Sequence, residues 1–286
     1  MRAKIKGPLD ERWLTEAFVL VNLAFLSADI YLAHSVNQFR HPAEYVPLYF
    51  SMVAPIVLLA ALAAFKPGTS NVAWRDLGLL VGCAAILVGC VGVVLHLESQ
   101  FFIHRTLKSL VYAAPFAAPL AYTGLGLLLL MNRMVDHEST EWAYWVLLLA
   151  LGGFVGNFVF SVTDHAQNGF YHATEWIPVF SSALAVGFLS ALFLVPVERP
   201  FLRLCAGVLL LQAAVGALGF ALHAAANLEG VSASRFDNFV YGAPAMAPLL
   251  FPNLVLLAFI GLWALGRKMS AAETVRGDLT SSGPAE

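Results

Sequence analysis

Charge is scarce in this sequence. Asp, Glu, Lys and Arg make up only 12% of its 286 residues, against roughly a quarter in an ordinary soluble domain. The net charge of −2 and a pI near 6.4 leave no basic footprint for DNA or RNA. Cysteine is nearly absent as well. Cys83, Cys90 and Cys205 all lie in apolar stretches with no C-x-x-C pair, so neither a disulfide framework nor a thiolate zinc site is expected. What is abundant is apolar: 59% hydrophobic residues and a mean hydropathy of +0.76, gathered in blocks. A soluble enzyme and a disordered chain are both excluded. A polytopic membrane protein remains.

A helix needs roughly 20 mostly apolar residues to cross the hydrocarbon core. Eight stretches meet that length: about 15–35, 46–65, 74–96, 109–131, 142–163, 177–196, 203–224 and 239–265. The basic start Met1-Arg-Ala-Lys-Ile-Lys precedes an apolar run too long for a signal peptide, with no small-residue cleavage site, so a retained first helix is expected. Eight spans put both termini on one side. That side collects twelve of the 16 Lys and Arg residues, and only Arg40, Arg105, Lys108 and Arg235 lie opposite. The bias predicts cytoplasmic termini in a cell (inner) membrane.

The chain also repeats itself. Residues 34–47 read HSVNQFRHPAEYVP and residues 165–178 read HAQNGFYHATEWIP, which share H-x2-N-x-F-x-H-x2-E-[YW]-[VI]-P at an offset of 131. VYAAPFAAPL (111–120) returns as VYGAPAMAPL (240–249) at an offset of 129, and His96 returns as His223 at 127. Two matches in the same order at nearly one offset indicate a duplication. The expected fold is an all-α integral membrane protein of eight transmembrane helices in two tandem parallel four-helix units, 1–138 and 139–268. A disordered cytoplasmic tail is expected over 269–286.

Each odd-numbered helix then ends near a histidine: His34, His96, His165 and His223. These four, with His41, Glu44, His172 and Glu175, are the candidate metal ligands, one histidine/carboxylate set per copy, on the face opposite the termini. Imidazole with carboxylate suits iron, zinc, copper or manganese. Glu98, His104, Asp164 and Glu229 lie nearby in sequence. Pro42 argues that the first helix stops soon after His34 and that a new one starts with Pro42 at its first position. Glu44 then sits in a first turn, where helix capping competes with ligation as its purpose. Asn37 and Asn168 fit better as residues that orient a neighbour or close the loop, since an amide oxygen is a weak transition-metal ligand. Pro115, Pro119, Pro244 and Pro248 fall inside the fourth and eighth predicted spans, where they free carbonyls and bend the helix. Apart from Asp29, no ionisable residue is expected well inside a span, which weighs against an ion-driven transporter.

The retained spacing points to redox or metal-assisted chemistry on a small or lipid-soluble substrate near the outer leaflet. A b-type haem is the alternative cofactor, because two histidines on facing helices of a four-helix bundle hold haem iron. The plan of two parallel four-helix halves is similar to that of haem A synthases. The Glu-x-x-His signature of that family does not recur in both halves, and its histidines lie on the other helices, so no membership follows. A third possibility is a non-enzymatic subunit or assembly factor that meets a membrane protein partner or an electron carrier. Interfacial histidines that merely sit in water are the plain competitor to all of these.

Overall fold

A computed structural model of the protein describes residues 10–63 and 72–281, with side chains through residue 271. Helices account for every regular element among them. In chain order these are α1 (Glu11–Ser35), α2 (Tyr45–Ala63), α3 (Val72–Glu98), α4 (Phe101–His104), α5 (Leu107–Val111), α6 (Leu120–Met134), α7 (Thr140–Gln167), α8 (Trp176–Leu194), α9 (Arg199–Leu228), α10 (Arg235–Tyr241) and α11 (Leu250–Ser281). Single 3₁₀ turns at Pro42–Glu44 and Ala173–Glu175 lead into α2 and α8. Seven of these helical segments are long and apolar enough to cross a bilayer. Their outer faces carry exposed Ile56, Leu80, Leu87 and Phe180, as lipid contact requires.

Seven is one fewer than the sequence predicts. The fourth expected span, 109–131, is broken: α5 ends at Val111 and α6 begins only at Leu120. At 15 residues α6 is about 22 Å long, short of the hydrocarbon thickness. The eighth expected span is interrupted in the same way between Tyr241 and Leu250, with a 3₁₀ turn at Ala247–Leu249. Two prolines four residues apart remove two amide donors and push their predecessors out of the helical region. The result is a break, not the bend that was expected.

In the first half α1 packs on α2, α2 on α3, α3 on α6 and α6 on α1; in the second, α7, α8, α9 and α11 close an equivalent ring. The rings meet where α6 packs on α7 and α1 on α11. One apolar cluster runs through both, with Leu23, Leu58, Leu128, Trp142, Leu147 and Phe154 almost fully buried. At the join, the amides of Asn22 and Asn253 donate to each other at 3.1 and 2.6 Å. Small residues let α3 approach α6 closely: a Cβ on Gly126 would stand 2.5 Å from the Gly82 carbonyl.

The end of the bundle away from the histidines holds what the sequence does not announce. Glu16 of α1 is fully buried and receives both Arg133 Nη1 and Nη2, at 2.5 and 2.6 Å. The guanidinium lies 3.5 Å over the Trp74 ring, and a Cβ on Gly78 would collide with it. Asn132 adds a hydrogen bond to the same carboxylate at 3.3 Å. This buried ion pair lies at the ends of the first and fourth expected spans, near the start of α1 and the end of α6. Of the basic residues behind the predicted orientation, Arg2, Lys4, Lys6 and Lys66 lie outside the described residues. The tail expected to be disordered from Met269 instead continues α11 to Ser281, and 282–286 lie outside the described residues.

Candidate functional site

Both copies of the H-x2-N-x-F-x-H-x2-E motif fold alike. The first helix of each half stops in a Schellman cap: Phe39 N donates to the His34 carbonyl and Gln38 N to that of Ser35, as Phe170 N does to His165 and Gly169 N to Ala166. The turn needs left-handed backbone at Gln38 (φ 62°) and Gly169 (φ 71°). The phenylalanine that follows packs back against the histidine, with ring centroids 5.8 Å apart for Phe39–His34 and 6.2 Å for Phe170–His165. It also stacks on the next aromatic residue, Phe39 on Tyr45 at 4.8 Å and Phe170 on Trp176 at 3.9 Å.

That cap turns the chain so that the glutamate returns over the histidine. His34 Nδ1 lies 3.4 Å from Glu44 Oε2, and His165 Nδ1 lies 3.7 Å from Glu175 Oε2. The other carboxylate oxygen is held by asparagine: Asn37 Nδ2 donates to Glu44 Oε1 at 2.9 Å, Asn168 Nδ2 to Glu175 Oε1 at 3.1 Å. In the first copy the His41 backbone amide donates to Glu44 Oε1 as well, at 3.3 Å. Capping and a site-directed role thus do not compete for Glu44. Oε1 serves the local turn, and Oε2 faces the histidine. Both Oε2 atoms are buried and make no hydrogen bond among the described residues.

The second histidine arrives from the third helix of each half. His34 and His96 have ring centroids 6.2 Å apart at 76°, and His165 and His223 are 6.3 Å apart at 84°. The proline break positions this ring. His96 Nδ1 donates to the Pro115 carbonyl at 2.9 Å and His223 Nδ1 to the Pro244 carbonyl at 3.0 Å. A carbonyl only accepts, so Nδ1 carries the proton and the Nε2 lone pair is left available. The loops bearing those carbonyls are pinned in turn, by Ser99 Oγ accepting from Ala114 N at 3.0 Å and by Asn227 Oδ1 accepting from Ala243 N at 2.8 Å. Glycines seat the second proline of each loop: a Cβ on Gly92 would meet Pro119 at 2.7 Å, and one on Gly219 would meet Pro248 at 3.0 Å.

The structure therefore brings together His34, Glu44 and His96 in one half and His165, Glu175 and His223 in the other. It leaves His41 and His172 out. Their side chains are exposed at the entrances of the 3₁₀ turns, where their backbones do the capping. His104, Glu98 and Glu229 are exposed. Among the described residues, no three His, Cys, Asp or Glu side chains are gathered closely enough to hold an ion as they stand. The pattern G-x2-G-x2-L-H, at Gly89–His96 and Gly216–His223, recurs at an offset of 127. It is the signal by which the packing of the Pro loops on the third helices could have been found. No family model, no curated protein and no solved structure matches the chain.

Proposed function

We propose that each half carries a site for one transition-metal ion, with His34, His96 and Glu44 as its ligands in the first and His165, His223 and Glu175 in the second. The duplicated Oε2 carries this reading. Each Oε2 is buried and faces an imidazole Nδ1 at 3.4 or 3.7 Å, and a duplication that keeps imidazole and carboxylate at that spacing favours an ion shared between them. Ligands at about 2.0–2.1 Å around a tetrahedral ion stand about 3.4 Å from one another, close to the 3.4 and 3.7 Å from imidazole nitrogen to Oε2. Two imidazoles sharing such an ion have centroids about 5 Å apart, so the rings at 6.2 and 6.3 Å need to close by about 1 Å.

Two imidazoles and one carboxylate leave open positions on the ion. This is the donor set of hydrolytic zinc and non-haem iron sites. The work we assign is metal-assisted or redox chemistry on a small or lipid-soluble substrate at the membrane surface. The ion would supply the Lewis acid or redox centre. The chain supplies the fixed tautomer of His96 and His223 and the orientation of both glutamates. An iron porphyrin is the second reading: His34 and His96 would hold its iron through Nε2, with Glu44 and the Pro115 carbonyl as partners of their Nδ1 atoms. We place these sites in two tandem four-helix units with the termini on the opposite, cytoplasmic side, as the lysine and arginine bias favours.

The test is elemental analysis and an optical spectrum of the detergent-purified protein. Two equivalents of one metal per chain are expected, falling to one in His34→Ala or His165→Ala and to none in the double variant. A Soret band would replace the ion with haem. Metal at background level would leave a proton shared between histidine and glutamate as the occupant and would end the metal reading.

A further inference from the structure

The two sites are built alike but are not held equally, and the difference lies beneath them. In the first half Tyr122, at the start of α6, reaches across the bundle to α2, a helix that is not its neighbour in the ring. Its hydroxyl donates to the Pro47 carbonyl at 3.0 Å and hydrogen-bonds Ser51 Oγ. Pro47 is three residues after Glu44, so the tie fastens the first turn of the helix that presents the carboxylate. Asp29 lies within electrostatic reach of the same hydroxyl, one and a half turns below His34.

None of this recurs in the second half. At the offsets that align the two copies, Tyr122 becomes Phe251 and Asp29 becomes Phe160. Ser182, in the place of Ser51, donates to the Pro178 carbonyl of its own helix at 2.6 Å, and among the described residues no hydrogen bond ties α8 to α11 in the way Tyr122 ties α6 to α2. The carboxylates follow suit. Among the described residues Glu44 Oε1 has two donors and Glu175 Oε1 one.

We infer that Tyr122 is a positioning residue that makes the first site the tighter of two unequal metal sites, one retaining its ion and the other exchanging it. This rests on the metal reading above. A ligand held in place loses less freedom on binding, and supporting groups behind metal ligands are worth about 10–100-fold in affinity.

Cobalt(II) is the probe, because its visible bands report each site as it fills. Titration of the metal-stripped full-length protein is expected to show two phases whose dissociation constants differ at least tenfold. His34→Ala should remove the tight phase and His165→Ala the weak one. Tyr122→Phe should weaken the tight phase about tenfold and leave the weak one in place, with thermal unfolding of the metal-free variant run alongside to separate loss of fold from loss of positioning. Two equal phases, or a tight phase that survives His34→Ala, would overturn the inference while leaving the metal reading standing. The absence of any cobalt band would remove both.

Discussion

The two halves agree closely at the end that carries the histidines and diverge at the other end. At the histidine end His–Glu, His–His and His–Pro distances repeat to within 0.3 Å. At the opposite end, the first half is fastened by the buried Glu16–Arg133 pair under Trp74. The second uses Lys268, which donates to the backbone carbonyls of His137 and Ser139 and lies 5.4 Å over Trp142. Any device that staples the helices suffices where only stability is at stake. A shared geometry is kept where specific atoms must meet, and that contrast is why the proposed sites are put at the histidine end.

The contrast can be broken most severely at the staple. Arg133→Leu leaves the Glu16 carboxylate buried without its partner, and should cost about 3–5 kcal/mol in unfolding measured in detergent. Combining it with Glu16→Leu should recover a large part of that loss, and no change in metal content should follow beyond that due to unfolded protein. Overpacking the helix contact comes next. Gly126→Leu forces α6 away from α3 and is expected to destabilise by roughly 1–3 kcal/mol, whereas Gly124→Leu, with open space about its Cβ, should be nearly neutral.

Two milder changes sharpen the comparison at the sites. Asn168→Ala takes the asparagine donor from Glu175 Oε1, whereas Asn37→Ala leaves Glu44 Oε1 the His41 amide. Asn168→Ala should weaken metal binding at its own site about tenfold and Asn37→Ala less, each without touching the other site. A single variant that weakens both sites equally would contradict separate ion sites. The smallest change concerns the left-handed residue of each cap. Gln38→Gly gives the first half the glycine that the second half has at Gly169, and should raise stability by about 0.5–1 kcal/mol. Gly169→Ala should lower it by a similar amount.

Hydropathy made the helices legible, and the duplication made the sites legible, because His34, Glu44 and His96 returned at nearly constant offsets. The ends of helices were also within reach: Pro42 marks the 3₁₀ turn at Pro42–Glu44 as the sequence predicts. Three features were not. Hydropathy averages over a window and so carries a helix through 109–131, across the two prolines at which the backbone breaks. His41 and His172 share a motif with the residues that cluster, and spacing alone does not reveal that their backbones, and not their rings, are what the turn uses. Glu16 and Arg133 lie far apart in sequence on separate helices, and only packing shows that they meet.

The account depends on one ion lying between imidazole nitrogen and Glu44 or Glu175 Oε2. X-ray absorption at the metal edge of the zinc- or cobalt-loaded protein tests this most directly. The predicted spectrum has a first shell of nitrogen and oxygen at about 2.0–2.1 Å with the outer-shell scattering of two imidazoles, and His34→Ala should halve the metal edge step per chain while leaving that shell unchanged. A sulfur shell at about 2.3 Å, or an oxygen-only shell without imidazole scattering, would contradict it.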